Sequence, residues 1–322
     1  MSVEQIEMQW SRIDASKIES GFHSIRISPE SIPELYLGVD QSGTRNLILS
    51  VPRPVEFRFK GTEKENLSID FFTESNHIVL KLANPAFSDL FNDLILSLYN
   101  KIYTIRDPKQ YGEEFIQAFH RWSGFFSNTS TMGLSEDSLK GIFGELILLK
   151  DMLEKSDSLS INNVLESWKG PYDALNDFES DSDCIEVKTK EDSKLQIRIS
   201  SEFQLSPRAD KTLSLCIVSV ITDPIKGISL NSLVSQMREL IWERNGDMGI
   251  LISALAKKGL INQNLKQYEY FRLRPLKMTF YDCDKPTFPK IIPENIANAI
   301  SKVSYELNIV MLAEFMTIET TL

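Results

Sequence analysis

The stretch Cys184-Ile185-Glu186-Val187-Lys188-Thr189-Lys190 (CIEVKTK) decides which fold the sequence predicts. Its β-branched residues predict a short strand. Alternate side chains of a strand point to the same face, so Glu186 and Lys188 lie together on one face. We expect the residues of the other face to pack on the core: Ile185, Val187 and Thr189. An acid and a base side by side on the remaining face indicate chemistry as well as packing.

A second acidic residue precedes this strand. Asp177 ends a strand-like run, and the polar segment Glu179–Asp183 has the composition of a turn that folds two strands into a hairpin. The hairpin would bring Asp177 beside Glu186. Two adjacent carboxylates raise one another's pKa unless a divalent cation neutralises them, and oxygen-only ligands suit Mg²⁺. Lys188 would then orient, or help to deprotonate, a water that attacks a phosphorus atom.

A third acid, Glu145, lies in a helix predicted over Ser135–Glu154, with Ser135 as its cap. Its neighbours at three- and four-residue spacing are apolar residues or glycine: Gly141, Ile142, Leu148 and Leu149. Glu145 therefore lies on an apolar helical face, where an unpaired carboxylate is costly and a metal site is a natural partner. Gly141 and Gly144 each cost about 1 kcal/mol relative to alanine in a helix, which indicates close packing of this helix on the sheet.

The composition limits the classes of function. The chain has 322 residues, 42% of them apolar, which suits two or three compact units. A net charge of −10 argues against a protein that coats nucleic acid non-specifically. A local basic lip remains compatible with that charge, and its candidates are Lys190, Lys194, Arg198, Arg208 and Lys211. Acids alternate with these residues, so an ordinary solvated surface stays an alternative interpretation.

Other features predict a cytoplasmic protein without a membrane segment. We find no secretory leader and no run of about 18 apolar residues. Three cysteines, Cys184, Cys216 and Cys283, lack zinc-like spacing and are expected to be reduced core residues. Motifs for nucleotide hydrolysis, dinucleotide binding, serine esterase chemistry and zinc proteolysis are missing from the sequence.

Periodicity and turn signals predict three parts. Residues 1–127 are expected to form a β-rich unit with two helices, residues 128–224 the core, and residues 225–322 an α/β extension packed on that core. The polar stretch Ser127–Thr131 is the candidate linker. Within the core the order is helix, three strands, a short helix at Ser201–Leu205, and a strand.

In this order and setting, Glu145, Asp177 and Glu186-Val187-Lys188 resemble the PD-(D/E)XK nuclease superfamily. Five motifs resemble, more narrowly, a bacterial branch found beside DNA methyltransferases and ATPases in phage-defence gene clusters: Gly141–Leu146 (GIFGEL), Trp168-x-Gly170-Pro171, Asn176-Asp177-Phe178, Glu186-Val187-Lys188 and Ser200-Ser201-x-x-Gln204-Leu205. Leu35–Val39 also resembles this branch, so the similarity extends over most of the chain. The chain departs from its relatives at Asn176, where they tend to carry histidine.

The resemblance implies an α/β (α+β) fold: a mixed four-stranded sheet flanked by helices. It implies a Mg²⁺-dependent DNA endonuclease, with Mn²⁺ as a substitute. Asp177 and Glu186 would be metal ligands, Lys188 the catalytic lysine, and Glu145 an auxiliary ligand or a water-positioning acid. Residues expected to contact substrate are Ser200, Ser201, Gln204 and Lys190.

The expected partners are double-stranded DNA, a methyltransferase, ATPases and a second copy of the chain. Several alternatives stay open from the sequence. Glu186 and Lys188 would form an exposed ion pair while Glu145 reaches solvent, or the serines would only cap a helix. A second hypothesis for the whole protein is a catalytically silent, nuclease-like scaffold that binds DNA or partner proteins. RNA or a branched nucleic acid also remains a possible substrate.

Overall fold

The computed structural model describes residues 1–13, 21–57, 59, 61–127, 133–260, 265–300 and 302–322. The chain divides into two compact units, Met1–Thr131 and Met132–Leu322. Apart from Ser127, the predicted linker Ser127–Thr131 lies outside the described residues. The three-part division that the sequence predicts stays a prediction.

The first unit contains an antiparallel sheet whose six described strands follow the order β1-β2-β3-β6-β5-β4. Its elements are α1 (Val3–Ser11), β1 (Phe22–Arg26), β2 (Glu34–Asp40), β3 (Arg45–Ser50), β4 (Thr62–Glu63), β5 (Leu67–Phe72), β6 (His77–Leu82), α2 (Ser88–Ile102) and α3 (Pro108–Trp122). The predicted antiparallel sheet and its two helices are present, and α1 is an additional helix with a Ser2/Gln5 capping box. The apolar residues of Val55–Phe59 predict a further strand, but the described residues of that range form none. Pro52 and Pro54 precede it and lack the N–H groups that a ladder needs.

The second unit is built on a mixed sheet. Its elements are α4 (Glu136–Lys155), α5 (Ile161–Ser167), β7 (Phe178–Glu179), β8 (Asp183–Glu191), β9 (Gln196–Ile199), β10 (Thr212–Thr222), β11 (Ile228–Ser229), α6 (Leu230–Glu243), α7 (Met248–Lys257), β12 (Arg272–Asp282), β13 (Tyr305–Asn308) and β14 (Met316–Thr321). The strand order is β11-β12-β10-β8-β7, and β14 pairs with the free edge of β12. Strands β8 and β10 are parallel, and the other pairs are antiparallel. The α/β class is confirmed.

The number of strands in the mixed sheet differs from the expectation. Six strands join it among the described residues, where the resemblance implies four. Three of the six, β11, β12 and β14, come from the C-terminal part of the chain. Strand β9 leaves this sheet and pairs with β13 in a separate two-stranded ladder. The predicted helix at Ser201–Leu205 is replaced by turns.

Strand β8 is covered on both faces, and this positions the site. On one face α4 approaches so closely that a Cβ on Gly144 would lie 1.8 Å from Oγ1 of Thr189. On the other face, Cys184 belongs to a buried apolar cluster that includes Ile197 of β9 and Leu215 of β10. The expectation that only the Val187 face packs on the core was therefore incomplete. Charged residues on the Cys184 face are consequently buried.

Two further features follow from packing. The three cysteines are buried and none forms a disulfide. Gly141, unlike Gly144, has nothing within 4 Å of an added Cβ, so close packing explains one of these two glycines and not the other.

Among the helices that the structure describes, none combines the length and apolarity required to cross a lipid bilayer.

Candidate active site

A cleft of about 760 Å³ opens beside β8 in the second unit. Of the eight residues that the sequence predicts for the site, seven line it: Glu145, Asp177, Glu186, Lys188, Lys190, Ser200 and Gln204. Ser201 is not among the lining residues; its hydroxyl accepts a hydrogen bond from the amide of Phe203 at 3.2 Å. Ser201 thus stabilises a turn beside the cleft.

The predicted hairpin is formed and fixes Asp177. Phe178 of β7 pairs with Ile185 of β8, so the preceding Asp177 reaches the middle of β8. Its Oδ2 accepts a hydrogen bond from the amide of Val187 at 2.8 Å. Burial raises the pKa of Asp177, while the Val187 amide and the positive charge of Lys188 oppose that rise.

Glu186 and Lys188 form a buried, hydrogen-bonded acid–base pair. The Lys188 ammonium lies 2.8 Å from Oε1 of Glu186, and their side chains are 16% and 2% exposed. Burial raises the pKa of Glu186 to about 8, and the charge of Asp177 adds to the rise, whereas Lys188 and Asn176 oppose it. The exposed pair considered as an alternative is therefore not the arrangement that forms.

Gln204 connects Lys188 to the end of β9. Its Oε1 accepts from the Lys188 ammonium at 3.2 Å and from the amide of Ser200 at 2.8 Å. Its backbone carbonyl accepts from the side-chain amide of Asn176 at 2.8 Å. Gln204 therefore restricts the position of the lysine from one side, while Glu186 does so from the other.

Glu145 is buried at the wall of the same cleft and both of its oxygens have partners. Oε2 accepts from the Trp168 indole at 2.8 Å, and Oε1 lies 3.1 Å from the Lys258 ammonium. Burial raises the pKa of Glu145, and the negative charge of Asp177 raises it further, while Lys258 and Trp168 act in the opposite direction. Glu145 does not reach solvent.

Sequence reasoning missed Lys258. It follows α7 at the end of the unremarkable helix terminus Lys257-Lys258-Gly259 and is 113 residues from Glu145. Neither spacing nor periodicity connects residues at that separation. Trp168 and Gly170 do belong to the motif Trp168-x-Gly170-Pro171, although nothing in that motif indicates which residues they contact.

Gly170 lies between two of the acids. A Cβ at this position would be 2.7 Å from Oε2 of Glu145 and 2.9 Å from Oδ1 of Asp177. Both distances are shorter than a real Cβ contact, so a larger residue here would displace at least one of the two carboxylates. The amide of Gly170 also donates to the backbone carbonyl of Asp177 at 2.9 Å.

These donors fit a hard divalent cation bound by two carboxylates. Mg²⁺ binds one or two protein carboxylates and retains several waters. Glu145, Asp177 and Glu186 offer only carboxylate oxygens as metal ligands. Asn176 adds a buried Oδ1 that has no hydrogen-bond partner within the described ranges and can accept from a water of a hydrated cation. Among the residues that the structure describes, no group of three or more His, Cys, Asp or Glu side chains is placed to hold one metal ion. The predicted three-ligand set of Asp177, Glu186 and Glu145 stays a prediction.

The candidate basic residues divide into two groups. Lys190, Lys194 and Arg198 line the cleft, as does Lys140 of α4. Arg208 and Lys211 instead contact Glu179 at 3.2 and 2.7 Å and are not lining residues. Part of the predicted basic lip is therefore present at the cleft.

Comparison with known proteins adds one match. A family model, DUF4420, described as "Putative PD-(D/E)XK family member", matches residues 6–310, nearly the whole chain. No curated protein and no solved structure matches the chain.

Proposed function

The chain belongs to the DUF4420 family, and on that premise we propose that it is a metal-dependent endonuclease that hydrolyses phosphodiester bonds of DNA. One observation carries this proposal: Asp177, Glu186 and Lys188 lie together on the wall of an open cleft, with Glu145 against Asp177. Burying three acids and a lysine together is costly for stability alone, so their presence is better explained by chemistry.

The division of labour follows from the contacts. When bound at Asp177 and Glu186, Mg²⁺ or Mn²⁺ would neutralise the carboxylates and polarise a phosphate oxygen. Asp177 is held in place by the Val187 amide. Lys188, held between Glu186 and Gln204, stabilises the negative charge that develops on the phosphate and orients the attacking water. Glu145 acts as an auxiliary acid that positions water beside Asp177.

The wider assignment is also a proposal. Lys140, Lys190, Lys194 and Arg198 line the cleft and can contact a nucleic-acid backbone, although acids line it as well, Lys140 is paired with Glu191 at 2.8 Å, and the chain has a net charge of −10. We assign the protein to the cytoplasm as the cleaving subunit of a bacterial restriction or phage-defence system, together with a methyltransferase and ATPases. Cutting both strands of a duplex usually takes two such sites, so a homodimer or a partnered assembly is part of the proposal.

The test is cleavage by single-site variants. Asp177→Ala, Glu186→Ala and Lys188→Ala should each abolish cutting of phage DNA in Mg²⁺ or Mn²⁺. Asp181→Ala is the matched control, because Asp181 is an exposed acid in the neighbouring turn. Methylated and unmethylated DNA, RNA and branched DNA are compared, with and without the products of neighbouring genes. Parental rates in all three variants would refute the assignment.

A catalytically silent scaffold is the second candidate. The observation in its favour is that protein groups already contact Glu145 and Glu186: Lys258, Trp168, Lys188 and Asn176. Calorimetric titration with Mg²⁺ and Mn²⁺ separates the two, because an endonuclease site must bind a cation in the presence of its substrate or partners. Absence of cation binding under every one of these conditions favours the scaffold.

A further inference from the structure

A second, smaller cavity of about 190 Å³ lies next to the active-site cleft and shares Lys190, Lys194 and Leu195 with it. We infer that this cavity is a subsite for the phosphate of the nucleotide that flanks the scissile bond. This inference rests on the proposed function, since it extends the same cleft by one nucleotide.

The cavity is built on a polar row that crosses the mixed sheet. Lys190 of β8 pairs with Ser219 of β10, which pairs with Lys277 of β12. Residues paired in this way point to the same face of the sheet, and alternation along β8 puts Lys190 on the face of Lys188. The row therefore continues the face of the catalytic lysine. Thr279 and Tyr281 of β12 complete the polar lining.

The charge of the lining is suited to an anion. Three ammonium groups, those of Lys190, Lys194 and Lys277, face a single lining carboxylate, Asp192. Lys190 is buried, and its ammonium donates to the backbone carbonyls of Glu191 and Asp192 at 3.3 and 3.1 Å. An ammonium has three donors, so one remains for a ligand. A phosphate group would also offset the cost of burying this cation.

One acid competes with a ligand for these cations. Glu319 of β14 lies 2.9 Å from the ammonium of Lys277 and also accepts from the hydroxyl of Thr279 at 3.1 Å. Both members of the Lys277–Glu319 pair are more than two-fifths exposed, so the pair is weak and can exchange partners. Glu319 therefore offers a variant whose effect has the opposite sign to that of Lys277.

The size and the rim of the cavity indicate what the anion is attached to. A volume of about 190 Å³ holds a phosphate with a few waters, at about 30 Å³ for each water, and does not hold a sugar and a base as well. The rim is apolar, with Leu195 60% exposed and Val310 61% exposed. The sugar and the base can lie across this rim while the phosphate reaches the lysines.

The distance from the proposed catalytic centre is also appropriate. Lys188 and Lys190 are two residues apart on one strand, so their Cα atoms are separated by about 6.6 Å along the strand. This separation is of the order of that between neighbouring phosphates in a polynucleotide. A chain with its scissile phosphate at Lys188 would place the adjacent phosphate at Lys190.

The test measures DNA affinity in Ca²⁺ with a short fluorescein-labelled duplex. Lys277→Ala should weaken binding about tenfold at low salt and reduce the slope of log K against log salt by about 0.9. Glu319→Gln should tighten binding, because it removes the competing charge and retains an acceptor for Thr279. Lys155→Ala is the control, since Lys155 is exposed and paired with Asp151 on α4, and it should match the parent.

The outcomes separate this inference from the proposed function. Parental affinity and salt slope in both Lys277→Ala and Glu319→Gln would overturn the subsite, even if the protein cuts DNA. Titration with inorganic phosphate identifies the source of the anion. If phosphate binding depends on Lys277 and DNA binding does not, the assignment to a polynucleotide is wrong. DNA binding that responds to both variants, in a protein that cuts no DNA in Mg²⁺ or Mn²⁺ with or without the products of neighbouring genes, supports a phosphate subsite for DNA and rejects the nuclease.

Discussion

The ammonium of Lys258 lies 3.1 Å from Oε1 of Glu145, although 113 residues separate them. With the Trp168 indole on the other oxygen, this contact satisfies a carboxylate that is otherwise buried beside Asp177. The charge of Lys258 also opposes the rise that burial causes in the pKa of Asp177. Lys258 therefore compensates for the accumulation of negative charge at the site, which burial and the neighbouring acid would otherwise disfavour.

Replacing Lys258 with methionine tests this compensation. We expect the pKa of Glu145 to rise further and the free energy of unfolding to fall by about 2 kcal/mol, because a buried charge loses its partner. The measurement is urea unfolding near neutral pH. The control is Lys257→Met, which changes the exposed lysine next to it in sequence.

A double variant identifies the cause. In a Glu145→Gln background, the effect of Lys258→Met should shrink, because the glutamine carries no charge to be neutralised. An equal loss of stability in both backgrounds would mean that Lys258 stabilises the fold through packing of its aliphatic chain.

Gly170→Ala should separate the two acids that meet at this position. The new methyl group would lie 2.7 Å from Glu145 and 2.9 Å from Asp177, so at least one carboxylate must move. We expect loss of most cleavage activity, at least about a hundredfold, since small displacements of catalytic groups cost this much. Gly141→Ala is the matched control.

For the control Gly141→Ala we expect a gain in stability and no comparable loss of cleavage activity. Gly141 lies in α4 and has nothing within 4 Å of an added Cβ, so alanine should stabilise the helix by up to about 1 kcal/mol. Thermal unfolding and cleavage rate are measured for both variants. Equal activity of Gly170→Ala and the parent would show that the close approach of the carboxylates is not required.

Gln204→Ala tests whether the Lys188 ammonium needs its second partner. The variant removes the oxygen that accepts from Lys188 and from the amide of Ser200. We expect the cleavage rate to fall about tenfold or more while the fold is retained, because loss of a supporting contact usually costs 10–100-fold. Ser201→Ala should leave the rate nearly unchanged, since its hydroxyl contacts only the amide of Phe203 among the hydrogen bonds described.

Separate measurement of kcat and KM shows how Gln204 acts. A residue that only shapes the cleft would change KM, whereas a residue that positions Lys188 should lower kcat. Rescue by Gln204→Glu, which keeps an acceptor oxygen, would support positioning. An unchanged kcat in Gln204→Ala would exclude it.

The sequence predicts those parts of the fold that depend on local signals. The α4 helix begins after the Ser135 cap. Strand β8 contains the whole CIEVKTK stretch and extends beyond it by one residue at each end. The hairpin that carries Asp177 follows from a polar turn between two strands. Capping, alternation and turn chemistry act over a few residues, so they can be recognised without the rest of the chain.

The remaining features depend on residues that are distant in sequence. Strand β14 joins the edge of β12 through pairing such as Thr279 with Glu319, which no periodicity encodes. The sequence predicts Ser201 at the cleft, but β9 ends in a turn in which the amide of Ser200 donates to Oε1 of Gln204, and that oxygen contacts Lys188. Burial of Glu186 likewise depends on the apolar cluster that covers one face of β8.

Glu186 should make the metal-free protein less stable as the pH rises. Its pKa is about 8 in the folded chain, against an ordinary value of 4.5, so the folded state retains the proton over the interval in which the unfolded state loses it. The free energy of unfolding should therefore decrease from about pH 4.5 to about pH 8 and level off above that. Asp177, whose pKa is also raised, contributes in the same direction.

Comparison of the parent with Glu186→Gln in the presence of a chelator measures this contribution. Since one pKa unit corresponds to about 1.4 kcal/mol, we expect the parent to lose at least about 1 kcal/mol more than the variant between about pH 5 and pH 8. The control is Glu166→Gln, which removes an exposed acid of α5. If the parent and Glu186→Gln show the same pH dependence, the Glu186 carboxylate is already ionised in the folded protein, and Lys188 alone compensates its burial.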